Sequence, residues 1–110
     1  MNTLQLHPKD RYKLLQLSRK PVNALNQEMI VELQRTISQI EEDQTVDGIV
    51  LAGTPGMFSA GLDIRALHKM ERPEFQEFLI KFRTMVRTFA GFSKPIVAAI
   101  TGHAPAGGCI

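Results

Sequence analysis

The sequence has few of the features that mark disulfide-stabilised, membrane-spanning or nucleic-acid-binding proteins. Its 110 residues contain a single cysteine, Cys109, which excludes an internal disulfide. No apolar run reaches the roughly 18 residues that span a bilayer. The 13 basic and 11 acidic residues are spread along the chain, so no block of like charge follows a phosphate backbone. We expect no membrane or nucleic-acid partner and a cytoplasmic location, with the mitochondrion or peroxisome as alternatives.

In composition the chain is typical of one small globular domain. Hydrophobic residues make up 44% of the chain and charged residues 22%. A chain of this length buries somewhat over ~60% of the surface that its unfolded form exposes, which leaves the core little reserve. We find no internal repeat or linker, and therefore treat residues 1–110 as part of a single domain.

The first half of the sequence predicts a hairpin followed by a helix. Thr3 to His7 and Tyr12 to Ser18 are β-compatible stretches on either side of a turn-forming cluster, which is typical of an antiparallel hairpin. Apolar residues then recur at helical spacing and predict an amphipathic helix that ends near Glu42. Either Asn23 or Asn26 could serve as its N-cap.

The second half predicts a strand, a helix and a strand. Gly48 to Gly53 and Pro95 to Ile100 are continuous apolar runs, typical of strands covered on both faces. Between them a long helix is predicted, with Pro73 near its first turn and Gly91 at its end. Its apolar face, expected to lie in the core, consists of Phe75, Phe78, Leu79, Phe82, Met85, Val86 and Phe89. This order predicts an α/β fold with parallel strands.

A glycine-bearing loop follows each of these strands, at the sheet edge where α/β proteins bind ligands. The loops are Gly53 to Asp63 and Thr101 to Cys109. Main-chain amides in such loops can bind an oxyanion, and the candidates are the N–H groups of Ala60 and Gly107. Spacing alone leaves a plain pair of turns as the alternative.

Four segments of the chain resemble consecutive motifs of the crotonase superfamily, the enoyl-CoA hydratase/isomerase group. They are Arg-Lys-Pro-Val-Asn-Ala-Leu-Asn at 19–26, Phe-Ser-Ala-Gly-Leu-Asp-Ile at 58–64, Lys-Pro-Ile-Val-Ala-Ala-Ile at 94–100 and Gly-His-Ala-Pro-Ala-Gly-Gly-Cys at 102–109. The resemblance is closest to delta-isomerase-like members. It implies a crotonase-like ββα spiral that is incomplete, since only the N-terminal portion is present. The unfinished helical turn at residues 106–110 likewise predicts a chain that is truncated at its C-terminus.

The resemblance also implies a ligand and the residues that bind it. An acyl-CoA or enoyl-CoA thioester of fatty acid metabolism would place its oxygen on the amides of Ala60 and Gly107. The CoA moiety would lie against Val22 and Ala24 and against a pocket lined by Ala60, Gly61, Leu62, Asp63 and Ile64. The family needs no metal or separate cofactor, because CoA is part of the substrate. A full-length member is expected to form a homo-oligomer, a trimer or hexamer.

One position departs from the hydratase pattern. Hydratases of the family, which are lyases, carry a catalytic glutamate directly after the cysteine, and here that position is Ile110. An aliphatic residue is similar to the pattern of delta isomerases, whose single carboxylate lies further along the chain. We therefore favour isomerase over hydratase, while no catalytic glutamate is evident in this chain. The alternative is a truncated, non-catalytic fragment that binds acyl-CoA or associates with related subunits.

Other reactive side chains have simpler interpretations. Asp63 is better placed as a helix N-cap than as a catalytic acid, and nothing in the sequence orients His103 as a base. Cys109 is expected to pack as a small buried residue. Ser59 lacks the Gly-x-Ser-x-Gly context of a hydrolase nucleophile, since Met57 occupies the position of the first glycine.

Overall fold

The computed structural model describes residues 2–110; Met1, which falls within the predicted domain, lies outside the described residues. Six strands, three helices and one 3₁₀ turn follow one another within these residues. They are β1 (Leu4–Pro8), β2 (Tyr12–Leu17), α1 (Gln27–Glu41), β3 (Gly48–Ala52), β4 (Gly56–Met57), α2 (Ile64–His68), α3 (Arg72–Ala90), β5 (Ile96–Ala99), β6 (Gly102–His103) and a 3₁₀ turn (Ala106–Gly108).

Four strands form one sheet in the order β1-β2-β3-β5. The first two pair antiparallel, with Leu6 opposite Leu15, which confirms the predicted hairpin. β3 then pairs parallel with β2 on one side and with β5 on the other. Because β3 and β5 are parallel neighbours, their carboxyl ends lie side by side and deliver both glycine-bearing loops to one edge.

Helix α1 contributes more buried apolar residues to the core than any other element. Asn26, not Asn23, is its N-cap, since the Asn26 Oδ1 accepts a hydrogen bond from the Met29 amide at 2.9 Å. Its apolar face packs against the sheet as the periodicity predicted. The buried apolar residues of this helix are Met29, Ile30, Leu33, Ile37 and Ile40.

The second half of the chain is less buried than its sequence predicts. Helix α3 begins beside Pro73 and ends at Gly91, as expected, but Phe78 and Met85 are its only buried residues. Phe75 and Leu79 remain 38% and 43% exposed, so the expectation that the whole apolar face lies in the core is wrong in part. No helix in residues 2–110 has both the length and the apolar character to cross a membrane.

Strand β5 and the end of the chain require two corrections. Val97 on β5 is 59% exposed, and Ala98 and Ala99 beside it are exposed as well, so both faces of this strand are largely uncovered within residues 2–110. The prediction of a strand covered on both faces therefore holds for β3 and is wrong for β5. The predicted buried helical turn is a short 3₁₀ turn, and Cys109 beside it is exposed rather than packed.

Candidate functional site

The two glycine-bearing loops join into one unit, as their positions after β3 and β5 predict. β4 pairs parallel with β6, which places Gly56 beside Gly102 and Met57 beside His103. The His103 carbonyl then accepts hydrogen bonds from the Phe58 and Ser59 amides at 2.9 and 3.3 Å. His103 therefore contributes to this unit through its main-chain carbonyl.

A third segment, residues 22–25, lies alongside the first loop and is bonded to it through the main chain. The Ala60 amide donates to the Val22 carbonyl at 2.9 Å. The Leu25 amide donates to the Gly61 carbonyl at 2.7 Å, and the Leu25 carbonyl accepts from the Asp63 amide at 3.0 Å. These bonds fix the orientation of the Ser59–Ala60, Gly61–Leu62 and Leu62–Asp63 peptide groups.

Ala60 is the predicted oxyanion donor that the structure contradicts. Its N–H group already has an acceptor in Val22 and so faces residues 22–25 rather than the second loop. The expected convergence of the Ala60 and Gly107 amides is therefore wrong. No local sequence pattern predicts this, because it depends on a pairing between segments more than thirty residues apart.

The Leu62 amide occupies the position that was expected of Ala60. The Gly61–Leu62 peptide bond is trans, so its C=O and N–H point in opposite directions. Because the Leu25 amide holds the Gly61 carbonyl on one side, the Leu62 N–H points to the other side, away from residues 22–25. Sequence reasoning had placed Leu62 only among the CoA contacts.

Leu62 and Gly107 lie next to one another. A Cβ atom added to Gly107 would lie 3.2 Å from the Leu62 nitrogen, and one added to Gly61 would lie 2.8 Å from the Gly107 nitrogen. Gly61 also has a φ of +92°, so glycine is required there both by conformation and by space. Within residues 2–110, neither the Leu62 nor the Gly107 amide donates to a protein acceptor.

An apolar cavity of about 240 Å³ adjoins Gly107. Gly107, Gly108 and Ser59 form its polar end, and Ile110 also contributes to its wall. The remaining wall comes from the sheet, α1 and α3, and includes Leu33, Leu51, Phe82, Met85, Phe89 and Ile96. Within the described residues no carboxylate lines this cavity, and no group of three or more His, Cys, Asp or Glu residues is placed to hold a metal ion.

Asp63 serves as the N-cap of α2, which confirms the structural interpretation of this residue. Its Oδ1 accepts from the Ala66 amide at 3.1 Å, and its Oδ2 lies 2.9 Å from Nη1 of Arg19. The Ala66 hydrogen bond, followed by the hydrogen bond and charge of Arg19, lowers the pKa of Asp63 below its ordinary value. The carboxylate is therefore ionised at neutral pH and is not a proton donor.

The other predicted CoA contacts lie around this junction with differing exposure. Val22 and Ala24 are half-buried, and Ile64 is exposed. Gly61 is buried and could offer a ligand only its main chain. The structure thus brings all of the predicted residues into the region of 22–25, 60–64 and 107, while the role of each in binding stays a prediction.

Comparison with known protein families agrees with this geometry. The family described as "Enoyl-CoA hydratase/isomerase" matches residues 13–110. The chain belongs to the enoyl-CoA hydratase/isomerase family. This confirms the resemblance drawn from the four motifs.

The relatives of this family member include hydratases and isomerases alike. The chain is 39% identical over 98 residues to a mitochondrial enoyl-CoA hydratase of Pongo abelii, covering 87% of this chain and 33% of the relative. It is 30% identical over 98 residues to the mitochondrial enoyl-CoA delta isomerase 1 of Mus musculus, covering 88% of this chain and 34% of the relative. It thus spans about a third to two fifths of the length of the curated relatives that it matches.

Solved structures give the same fold. The crystal structure of human mitochondrial delta3-delta2-enoyl-CoA isomerase superimposes with a TM-score of 0.93 at 26% identity, covering 98% of this chain and 43% of that one. The predicted crotonase-like α/β fold, incomplete relative to its neighbours, is therefore confirmed.

Proposed function

We propose that the protein binds an enoyl-CoA or other acyl-CoA thioester and stabilises its enolate with the amides of Leu62 and Gly107. The observation that carries this is that the neighbouring Leu62 and Gly107 N–H groups have no protein acceptor within residues 2–110, and that Gly107 lines an apolar cavity. Two neighbouring main-chain donors without a protein acceptor can bind one ligand oxygen together, as in an oxyanion hole.

The chemistry of a thioester suits such a pair of donors. Removing a proton beside the carbonyl moves negative charge onto its oxygen, and two fixed N–H groups stabilise that charge without reorganising. Each donor of this kind is typically worth ~3 to 4 kcal/mol in the transition state. The apolar wall of the cavity lowers the polarity around a bound thioester, which strengthens both interactions. We further propose that the CoA moiety contacts Val22, Ala24 and residues 60–64.

Isomerisation is the reaction that we favour over hydration. Ile110 lines the cavity where the hydratase pattern has a glutamate, so one of the two carboxylates of hydration is missing. Family membership does not decide between the two reactions, because hydratases and delta isomerases both occur among the relatives. A base for isomerisation would come from outside the residues that line the cavity here.

A non-catalytic acyl-CoA-binding fragment is the second candidate. The absence of any carboxylate from the cavity wall within residues 2–110 favours it, since deprotonation requires a base. Such a fragment could associate with related subunits through the exposed outer side of β5. Assembly as a trimer or hexamer stays a proposal for a longer chain. A cytoplasmic location is also a proposal, and the mitochondrial names of two relatives support the alternative compartment.

Calorimetry combined with a turnover assay distinguishes these candidates. Butyryl-CoA is titrated into the 110-residue chain, with free CoA as the control that lacks the thioester oxygen. We expect tighter binding of butyryl-CoA. A 3-enoyl-CoA and a 2-enoyl-CoA are then incubated with the protein: a shifted double bond supports isomerisation, and binding without turnover supports the fragment. Equal affinity for butyryl-CoA and free CoA would contradict the proposed use of the two amides.

A further inference from the structure

We infer that Ser59, held by Asn23, is a positioning residue that sets the direction of the Leu62 amide, an inference that rests on the proposed thioester binding. Both side chains are 1% exposed and neither belongs to the predicted site. Their hydrogen bonds reach Gly61, the residue directly before the proposed donor. Neither acts on the substrate itself; both act through the main chain of the loop.

The side chain of Asn23 is hydrogen-bonded at both its nitrogen and its oxygen, and the nitrogen holds the loop. Its Nδ2 donates to the Phe58 carbonyl at 3.0 Å and to the Met57 carbonyl at 3.3 Å. Its Oδ1 accepts from the Arg19 amide at 2.7 Å. The residue has a φ of 53°, a left-handed conformation that asparagine tolerates better than most residues. Asn23 is therefore fixed independently of any ligand.

Ser59 links Asn23 to Gly61 through two hydrogen bonds. Its hydroxyl donates to the main-chain carbonyl of Asn23 at 2.8 Å and accepts from the Gly61 amide at 3.1 Å. A buried hydroxyl is costly unless it is hydrogen-bonded, and here it is bonded as both donor and acceptor. The bond to Asn23 orients the hydroxyl so that its lone pair faces the Gly61 N–H.

The two peptide groups that flank Gly61 are thereby held separately. Ser59 fixes the Ala60–Gly61 peptide through its N–H, and Leu25 fixes the Gly61–Leu62 peptide through its C=O. Gly61 has a φ of +92° and lacks the Cβ that would limit its rotation. Without the hydroxyl, one of the two restraints on this glycine is lost. The Leu62 N–H would then sample directions other than that of the thioester oxygen, and such displacements weaken electrostatic stabilisation strongly.

The carbonyl stretching frequency of a bound thioester measures this positioning directly. Butyryl-CoA carrying ¹³C at the carbonyl is bound to the 110-residue chain and to Ser59→Ala, and isotope-edited infrared difference spectra are recorded. The unmodified chain should lower the carbonyl frequency relative to water, because two N–H groups polarise the bond. Ser59→Ala should bind butyryl-CoA more weakly, by no more than the difference between butyryl-CoA and free CoA, and should lose about half of that downshift, since one of two donors is displaced. The Gly61 amide should also exchange with solvent up to about tenfold faster.

Two further variants separate positioning from general stability. Ile37→Val trims the core by one methyl group far from the loop and costs about 0.5 to 1.5 kcal/mol; it should keep the full downshift. Ser59→Cys keeps the side chain near its original volume with only a weak S–H donor, so it provides the test if Ser59→Ala does not fold. It should show a partial loss.

The outcomes separate the two proposals. A full downshift in Ser59→Ala, or in Ser59→Cys where the alanine variant does not fold, overturns the positioning role while leaving thioester binding intact. A downshift lost equally in Ile37→Val also overturns it, because loss of stability alone would then explain the effect. If the unmodified chain binds butyryl-CoA without lowering the frequency, or does not bind it, the proposed function fails and this inference fails with it.

Discussion

The two halves of the molecule use their apolar residues differently. In residues 4–52 the hairpin, α1 and β3 bury nearly every apolar side chain that the periodicity points inward, and Leu15, Ile37 and Ile49 are at most 2% exposed. In residues 72–110 the equally apolar α3 and β5 leave Ile80 and Val97 more than half exposed. The first half provides the core, and the second half presents an apolar surface to its surroundings.

The candidate site lies where these two regions meet, and main-chain groups build it. Residues 22–25 approach from the first half, and the loops after β3 and β5 complete the junction. Main-chain hydrogen bonds there orient the loops, and within residues 2–110 the Leu62 and Gly107 amides have no protein acceptor. Burial of apolar side chains therefore stabilises the first half, whereas hydrogen bonds orient the main-chain groups of the junction that would bind a ligand.

The largest contrast is expected between two isoleucines on the two long helices. Ile37 on α1 is fully buried and Ile80 on α3 is 54% exposed. Ile37→Ala should lower the free energy of unfolding by about 2 to 5 kcal/mol, because it leaves a cavity in the core. Ile80→Ala should change it by less than about 0.5 kcal/mol. Urea unfolding of both variants measures the difference, and comparable losses would contradict the division into a core region and a surface region.

The next contrast concerns two glycines with positive φ. Gly56 has a φ of +81° with nothing within 4 Å of an added Cβ, while such an atom on Gly61 would lie 2.8 Å from the Gly107 nitrogen. Gly56→Ala should cost about 1 to 2 kcal/mol from conformation alone. Gly61→Ala should cost more, because it also pushes the two loops apart. Equal losses in thermal or urea unfolding would show that the loops are not in close contact.

A smaller effect is expected from the helix cap in the first region. Asn26→Ala removes the hydrogen bond to the Met29 amide and should lower the free energy of unfolding by about 1 kcal/mol. Asn26→Ser, which retains a capping oxygen, is the matched control and should recover most of the loss. If serine restores nothing, the side chain of Asn26 contributes to stability by another route than capping.

The smallest effect is a pH dependence at the junction. The pKa of Asp63 is lower in the folded chain than in the unfolded chain, through the Ala66 hydrogen bond and then Arg19. Its stabilising contribution is therefore complete above the unfolded pKa and is lost as the pH falls below about 4 toward the folded pKa. Asp63→Asn should be less stable than the unmodified chain at pH 7, and the difference should shrink at pH 3. A difference that stays constant between the two pH values would rule out an ionic contribution.

Local sequence patterns predicted the elements well but not their exposure. The helical spacing after Asn26, the stop at Gly91 and the Asp63 cap all depend on neighbouring residues and are confirmed. The exposure of Val97 depends instead on which element covers β5, and no pattern within the strand records that. Periodicity reports which face a residue occupies and not whether that face is covered.

The candidate site could be predicted only in part, because some of its features depend on contacts between distant segments. Gly107 could be placed from its loop and its position after β5, and the structure leaves its amide free. The choice between Ala60 and Leu62 could not be made, because it depends on the hydrogen bonds of residues 22–25 to a distant loop. The positions of Asn23 and Ser59 beneath Gly61 depend on that same pairing.

The most direct measurement follows the amide resonances of Leu62, Gly107 and Ala60 by ¹⁵N–¹H NMR during titration with butyryl-CoA and, separately, with free CoA. Two amides that bind the thioester oxygen should shift downfield together with butyryl-CoA only, and Ala60, bonded to Val22, should move little. A downfield shift of Ala60 in place of Leu62, or identical responses to both ligands, would contradict the account.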